Sequence, residues 1–534
     1  MLFFASSASV CPLFLYLGQF PFSALSPRGI WNIFAAISAL LLICLAWQAV
    51  KSRPQKPSEP PRHYWRVYWP VICLLMATLG LLASVASLPF LSDDFAFIFP
   101  DTLSSATWSQ RGGDGFYRPL GNTILALAAH TLPPSPLPWG LWILASNLVV
   151  SALAGILSAH LSPQNGNPNW FVGVWTGALF LAHAAHPEAS VWLAGRFDVL
   201  ATLFVFGGIL SALAWIRSER WPWLAASIVC MMAAITTKEI AYTYPALLLL
   251  VFLLHAVEKR RVALAFAWHA AAAFLLLAFR LWLFHGFGGY VDPGTGASEL
   301  HSVGLLHLVK AYGTRLLPTL LFPVNLSVIP NFFVTLMIAV GAVCYGRIAF
   351  RANLTRSVLV FSLGWMVFAS LPAISQLLIG PDLEKSRVLF LASFGICFLL
   401  ANAISLHRKS TGARAWELLF ALFWVSLLYH NLHIRRDVAF TVDKACQQAA
   451  EIARSTPKPI RLEGLPPLVH GIYAFSNGFP TCVGKVSGRH PDDIDNARDN
   501  VPNHFDESPA TWRWNAQEER FQQLAEEPEI QGRR

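Results

Sequence analysis

Apolar stretches close to 20 residues long, broken by short polar turns, recur along most of this chain, and that length is what an α-helix needs to cross a bilayer. The pattern predicts spans at about 31–50, 67–90, 139–161, 170–185, 199–216, 221–237, 240–257, 262–284, 332–345, 358–379, 388–406 and 415–430. A further apolar stretch at 1–25 lacks the basic start of a signal peptide and is left unassigned. The segment 303–324 holds Lys310, Arg315 and Pro318, which suits an amphipathic helix lying at the interface rather than a span. From about His433 the composition turns polar. There TVDKACQQAAEIARST reads as a separate amphipathic helix, RLEGLPPLVHGIYAFSNGFP as short strands and loops, and the last forty residues as solvated and disordered.

The expected fold class is therefore an all-α polytopic membrane protein. It has about twelve spans, between 11 and 13, and a small C-terminal region outside the cytoplasm. Three units follow: 1–66 with a basic cytoplasmic loop, a transmembrane unit 67–432 with outer loops 91–138 and 286–330, and a polar region 433–534. Composition agrees, since 55% of the 534 residues are apolar and only 13% are charged.

Charge gives the orientation. Five loops at alternate span ends carry sixteen Lys or Arg residues and only Glu59, Glu219 and Glu258 as acids, which marks them as cytoplasmic. Asp93, Asp94, Asp101, Asp114, Glu188, Asp198, Glu239, Asp292, Glu299, Asp382 and Glu384 fall on the opposite side. The net charge of +9 is thus an orientation signal and does not point to nucleic acid. Six cysteines (Cys11, Cys44, Cys73, Cys230, Cys344 and Cys397) sit in apolar segments as core fillers. Cys446 and Cys482 lie in the polar region, where they form a disulfide if it is outside the cytoplasm or stay free thiols.

Carboxylates at the mouth of a span are costly to keep near hydrocarbon, so they are read first as functional. Asp93-Asp94 can supply a general base whose pKa its neighbour raises, or can hold a divalent cation on oxygen ligands. Arg118, after Tyr117, can hold a phosphate or pin the first outer loop. In a helical segment His186, Glu188, Trp192, Arg196 and Asp198 would place Glu188, Trp192 and Arg196 on one face, with Arg196 facing outward as a phosphate ligand. Lys238-Glu239 and Glu384-Lys385-Arg387 sit at two further outer mouths, as phosphate contacts or as local ion pairs. His183 and His186 have no third ligand nearby and are read as hydrogen-bonding groups, so no metal site is assigned. The loop 286–301, with five glycines, is a candidate lid.

The ordered series LSDDF, YRPLGN, HPEASVWLAGRFDVLATLF, TTKEIAYTYPALLLL, LLFPVNLS and LEKSRVLFLASFGICFLL resembles the GT-C polyprenyl-phosphate-sugar glycosyltransferases over about 67–406. It is most similar to the protein O-mannosyltransferase-like branch that includes the TMTC proteins. The resemblance implies a lipid-linked sugar donor, an inverting transfer of the hexosyl or mannosyl type to a hydroxyl on a glycan, lipid or protein, and Asp93 or Asp94 as the base. It places the Glu188, Arg196 and Asp198 stretch and Lys238-Glu239 in one outer cleft, and the mechanism expected there has Arg118, Arg196, Lys238 and Arg387 on the donor phosphate. Tyr117, His186, Glu188, Trp192, Asp198, Glu239 and Glu384 would support the cleft. No tetratricopeptide period follows, so a protein acceptor is not carried over, and a bacterial inner-membrane enzyme facing the periplasm or exterior is expected. A lipid or polysaccharide transporter, a flippase and an oligosaccharide ligase with a diphosphate-linked donor remain the competing readings.

Overall fold

The computed structural model describes residues 26–51, 65–98, 115–164, 166–255, 258–289, 303–351, 354–407, 412–476, 478–496 and 509–524. The N-terminal stretch, most of the first basic loop and of the glycine-rich candidate lid, and the acids Asp101, Asp114, Asp292 and Glu299 lie outside the described residues.

The helices follow the apolar pattern. They are α1 Pro27–Lys51, α2 Trp65–Ser84, the single turn α3 Asp94–Phe97, α4 Pro119–Thr131, α5 Pro136–Leu161, α6 Trp170–Leu181, the short α7 Pro187–Ser190, α8 Arg196–Ser218, α9 Trp221–Thr237, α10 Tyr244–Leu254 and α11 Lys259–Phe284. Next come α12 Leu305–Leu308 and α13 Leu317–Leu321, joined by a π-helical stretch Val309–Leu316. The series ends with α14 Phe332–Arg351, α15 Arg356–Ser370, α16 Ser393–His407, α17 Ala413–Ser455 and α18 Phe479–Ser487. Seven helices in the described residues are long and apolar enough to cross a membrane, and shorter apolar helices lie at Tyr68–Ser84, Trp170–Leu181, Trp221–Thr237, Glu239–Leu254 and Ser393–Leu406. Each of the twelve expected spans overlaps one of them. The chain is an integral, multi-pass membrane protein.

Several spans stop short at the end where the carboxylates gather. There the backbone tightens into 3₁₀ turns at Leu193–Gly195, Glu239–Thr243, Leu371–Gln376 and Ser386–Leu389. Such non-helical backbone is tolerated at membrane depth only where protein buries it. At the opposite end Arg261 bonds Glu219 at 2.7 Å and Glu258 at 3.2 Å, which brings the two expected cytoplasmic loops 217–220 and 258–261 together.

The last span and the amphipathic helix expected after it are one continuous helix, α17, of 43 residues. Its polar half carries an apolar face of Val438, Ala439, Val442, Ala445, Ala449 and Ala453 that the C-terminal region covers, so no turn is needed between them. That region holds β1 Ile460–Glu463, the hairpin β2 Leu468–Val469 and β3 Ile472–Tyr473, then α18, β4 Ile494–Asn496, β5 Ala510–Asn515 and β6 Arg520–Gln523. One sheet has the order β4-β1-β5-β6, with β1 parallel to both β4 and β5 and β6 antiparallel to β5. Strands β5 and β6 correct the expectation of disorder through the last forty residues. Ala510, Trp514 and Phe521 are buried there, which the surrounding charge conceals in the sequence. A Cys446–Cys482 disulfide fastens α18 to α17.

The membrane-embedded helices pack through small residues. A Cβ built on Gly173 of α6 would lie 2.7 Å from the Gly155 carbonyl oxygen of α5, and one on Gly177 would lie 2.8 Å from that of Ser151. Close approach of this kind is how helices associate where lipid offers no hydrophobic contrast. Gly173→Ala should therefore destabilise the protein by about 1–3 kcal/mol. Gly207→Ala, with nothing within 4 Å of the added methyl, should melt like wild type in the same detergent.

Candidate active site

Asp94 is 5% exposed at the start of α3. One of its carboxylate oxygens accepts the Leu91 N–H at 3.0 Å and the other accepts the Leu193 N–H at 3.0 Å, so the first outer loop is tied to the turn before α8. Burial pushes its carboxyl up to about 7, against the opposing effects of the Leu91 N–H and the Arg435 guanidinium. Asp94 and Arg435 line one cavity with Leu91, Trp139, Ile143 and Leu193. Asp93 is half-buried, and the Ser92 hydroxyl donates to it at 3.4 Å. Among the described residues no group of three metal-type ligands forms.

Glu188 pairs with Arg387, Oε1 accepting from Nη1 at 2.6 Å and Oε2 from the Arg387 backbone N–H at 3.1 Å. Burial pushes the Glu188 carboxyl up and the Arg387 charge opposes it. The guanidinium of Arg387 lies 4.9 Å from the Trp192 ring and 5.4 Å from that of Tyr473. Glu384 accepts the Tyr473 hydroxyl at 3.0 Å. Lys238 pairs with Asp198, and burial pulls its ammonium down to about 8, with the Asp198 carboxylate opposing and the Arg118 and Arg387 charges adding to the fall. Glu239 accepts from Arg118 at 2.9 Å and from Arg280 at 3.1 Å. Tyr117 packs edge-on against Phe279, 5.5 Å between centroids.

Most of the predicted residues thus converge on one end of the bundle, each cation beside a carboxylate. Arg196 does not reach the cleft surface. It is fully buried, and its guanidinium donates to the Ile143 and Ala189 carbonyls and to the Ser146 hydroxyl. The single helical face expected for Glu188, Trp192 and Arg196 is also absent. Helix α7 ends at Ser190, Trp192 is extended, and α8 starts at Arg196. His186 is buried as well, stacked on His183 and bonded to the Ser393 hydroxyl at 2.8 Å. Asn325 is buried, with its amide donating to the Asp382 and His470 carbonyls.

Arg435 and Tyr473 join the site without having been read from the sequence. Arg435 is 3% exposed and lies within electrostatic range of Asp94, Glu188 and Arg387, which links the Asp94 cavity to the Arg387 group. Its only sequence signal is a charge on the continuation of an apolar helix. Tyr473 carries no signal at all. Ser92, Leu383, Lys385 and His470, all in loops of this site, have positive φ without being glycine, a conformation that clusters at functional sites.

No family model matches the chain, and no curated protein matches it. Among solved structures it is similar to ArnT from Cupriavidus metallidurans bound to undecaprenyl phosphate. The identity there is 14% over 80% of this chain and 89% of that one, with a TM-score of 0.34. It is also similar to the same ArnT in the apo state, at 15% identity over 78% and 85%, with a TM-score of 0.39.

A carboxyl whose folded pKa lies above its unfolded value binds its proton more tightly in the folded state, so stability is full below about 4 and falls as pH rises toward about 7. For Asp94 the full loss is on the order of 4 kcal/mol. The melting temperature of the wild type should fall between pH 4.5 and 8 more steeply than that of Asp94→Asn. Parallel slopes would assign the pH dependence to other groups.

Proposed function

We propose that this protein is a membrane glycosyltransferase of the GT-C type, which moves a sugar from a polyprenyl-phosphate donor to an acceptor hydroxyl. Residues 67–432 form its catalytic unit, and the reaction takes place on the extracytoplasmic face. The observation that carries this reading is the juxtaposition of Asp94 with a group of cations at one end of an apolar bundle. Burial brings Asp94 to a pKa suited to a general base near neutral pH. Arg435 connects it electrostatically to Arg387, which in turn acts on Lys238. A lipid phosphate is the ligand that suits both an apolar surface and a partly dehydrated set of cations.

In this mechanism the polyprenyl chain lies against the helices. Arg387, Lys238 and Arg118 hold the phosphate and stabilise the charge that grows on it as the anomeric C–O bond breaks. The acceptor oxygen attacks from the opposite face and inverts the anomeric centre. Asp94 takes the hydroxyl proton, and the products are a glycoside and the polyprenyl phosphate. Asp93 contributes the neighbouring charge that favours the protonated form of Asp94. Arg196, placed on the phosphate by the sequence, instead braces α8 against α5 and the 187–190 turn. The Cys446–Cys482 disulfide supports an oxidising compartment for the site face. The ordered motifs support the protein O-mannosyltransferase-like branch, and a bacterial inner membrane is the expected location.

The test is a strain lacking the protein, complemented with wild type, Asp93→Asn or Asp94→Asn at matched membrane levels, with glycolipids and glycoproteins profiled. Wild type should restore a sugar modification and Asp94→Asn should lose it by roughly a hundredfold or more. Restoration by both variants would remove the carboxylates from the chemistry and favour the transporter reading.

A further inference from the structure

A short stretch of the C-terminal region on either side of Tyr473 meets the loops that carry Asp93-Asp94 and Arg387. The His470 carbonyl accepts from Asn325 Nδ2 at 2.8 Å. Gly471 has φ +75°, and a Cβ there would lie 2.3 Å from the Asp382 carbonyl oxygen in the loop leading to Arg387. Ser476 is hydrogen-bonded to Ser92, the residue before Asp93. Gly478 has φ +74°, and a Cβ there would lie 2.4 Å from the Ser92 carbonyl oxygen. Both ends of the stretch thus require glycine, one for approach to the Arg387 loop and the other for approach to the Asp93-Asp94 loop. Phe475 and Phe479 anchor it from behind in the core shared by α17, β1 and β5.

Tyr473 is what this seating delivers. Its ring stacks on Trp192, 5.4 Å between centroids at 11°, and sits 5.4 Å from the Arg387 guanidinium. Its hydroxyl is bonded to Glu384. Arg387 is therefore held on one edge by Glu188 and against two aromatic rings, one from the bundle and one from the C-terminal region. An arginine stacked in this way loses little conformational freedom on binding and is poorly hydrated, both of which favour contact with a phosphate.

We infer that Tyr473 is a positioning residue of the donor site: the C-terminal region, seated through Gly471 and Gly478, completes the arginine that binds the lipid phosphate. This inference rests on the reading of the site as one for polyprenyl phosphate. The test titrates full-length protein in detergent with a short-chain polyprenyl phosphate. It compares wild type with Tyr473→Ala, Tyr473→Phe, Gly471→Ala and Arg387→Ala, and the melting temperature is recorded for each.

Tyr473→Ala and Gly471→Ala should weaken binding about tenfold, and Tyr473→Phe, which keeps the ring, should stay within about twofold of wild type. Wild-type binding by Tyr473→Ala alongside loss in Arg387→Ala would overturn the inference and leave the donor reading intact. Equal loss in Tyr473→Phe and Tyr473→Ala would overturn it too, because the ring would then not be the operative element. Absence of binding by the wild type would overturn the donor reading and this inference together.

Discussion

Charge brought to the end of an apolar bundle must be compensated inside the protein, and the Glu188–Arg387 pair is where this constraint is felt most. Desolvating two such groups is expensive unless the geometry is good and the remaining hydrogen-bonding capacity is used. Here one carboxylate accepts from both the side chain and the backbone of Arg387, and Trp192 and Tyr473 cover the guanidinium. The same contact joins four parts of the chain: the 187–190 turn, the extended Trp192, the 3₁₀ turn at 386–389 and the C-terminal hairpin. Lys238–Asp198 and Arg118–Glu239–Arg280 repeat the solution nearby.

Such compensation explains why the spans are shorter at this end. Glu188 and Glu239 sit in the short turns Pro187–Ser190 and Glu239–Thr243 that follow the ends of α6 and α9, where they reach Arg387, Arg118 and Arg280. Asp94 shows the same economy of structure. The N–H groups of Leu91 and Leu193, left over at two loop-to-helix transitions, become the donors that fix its carboxylate. Arg196 serves the opposite purpose, spending its donors on the Ile143 and Ala189 carbonyls to hold the transition rigid.

The C-terminal region belongs to this arrangement. Its core is continuous with the carboxylate-bearing end of the bundle, taking in Leu91, Phe95, Leu125, Trp139, Trp192 and Phe197 together with Phe475, Trp514 and Phe521. Helix α17 runs without a break from the apolar core into that cluster, and Arg435 lies where the two environments meet. A base and a set of cations placed by proposal on one catalytic surface thus depend on a domain whose own sequence is mostly polar.

What the sequence determined by itself is what hydrophobicity and charge encode locally. The apolar helices were legible because crossing hydrocarbon demands about 20 apolar residues, and the alternation of basic and acidic loops was legible because charge is kept out of the spans. Asp93-Asp94, Glu188, Lys238 and Arg387 stood out because charge at a span end is costly. The tertiary structure decided which charges meet. Arg196 looks as available as Arg387 in one dimension, yet one is buried against carbonyls and the other lies beside two stacked rings. Tyr473 lies 89 residues from Glu384, which it bonds, Arg435 acts on Glu188 and Asp94 from the far half of the chain, and Ser92 meets Ser476 across 384 residues. Contacts across such separations are set by packing and by the glycines that permit close approach, and neither is written in local periodicity.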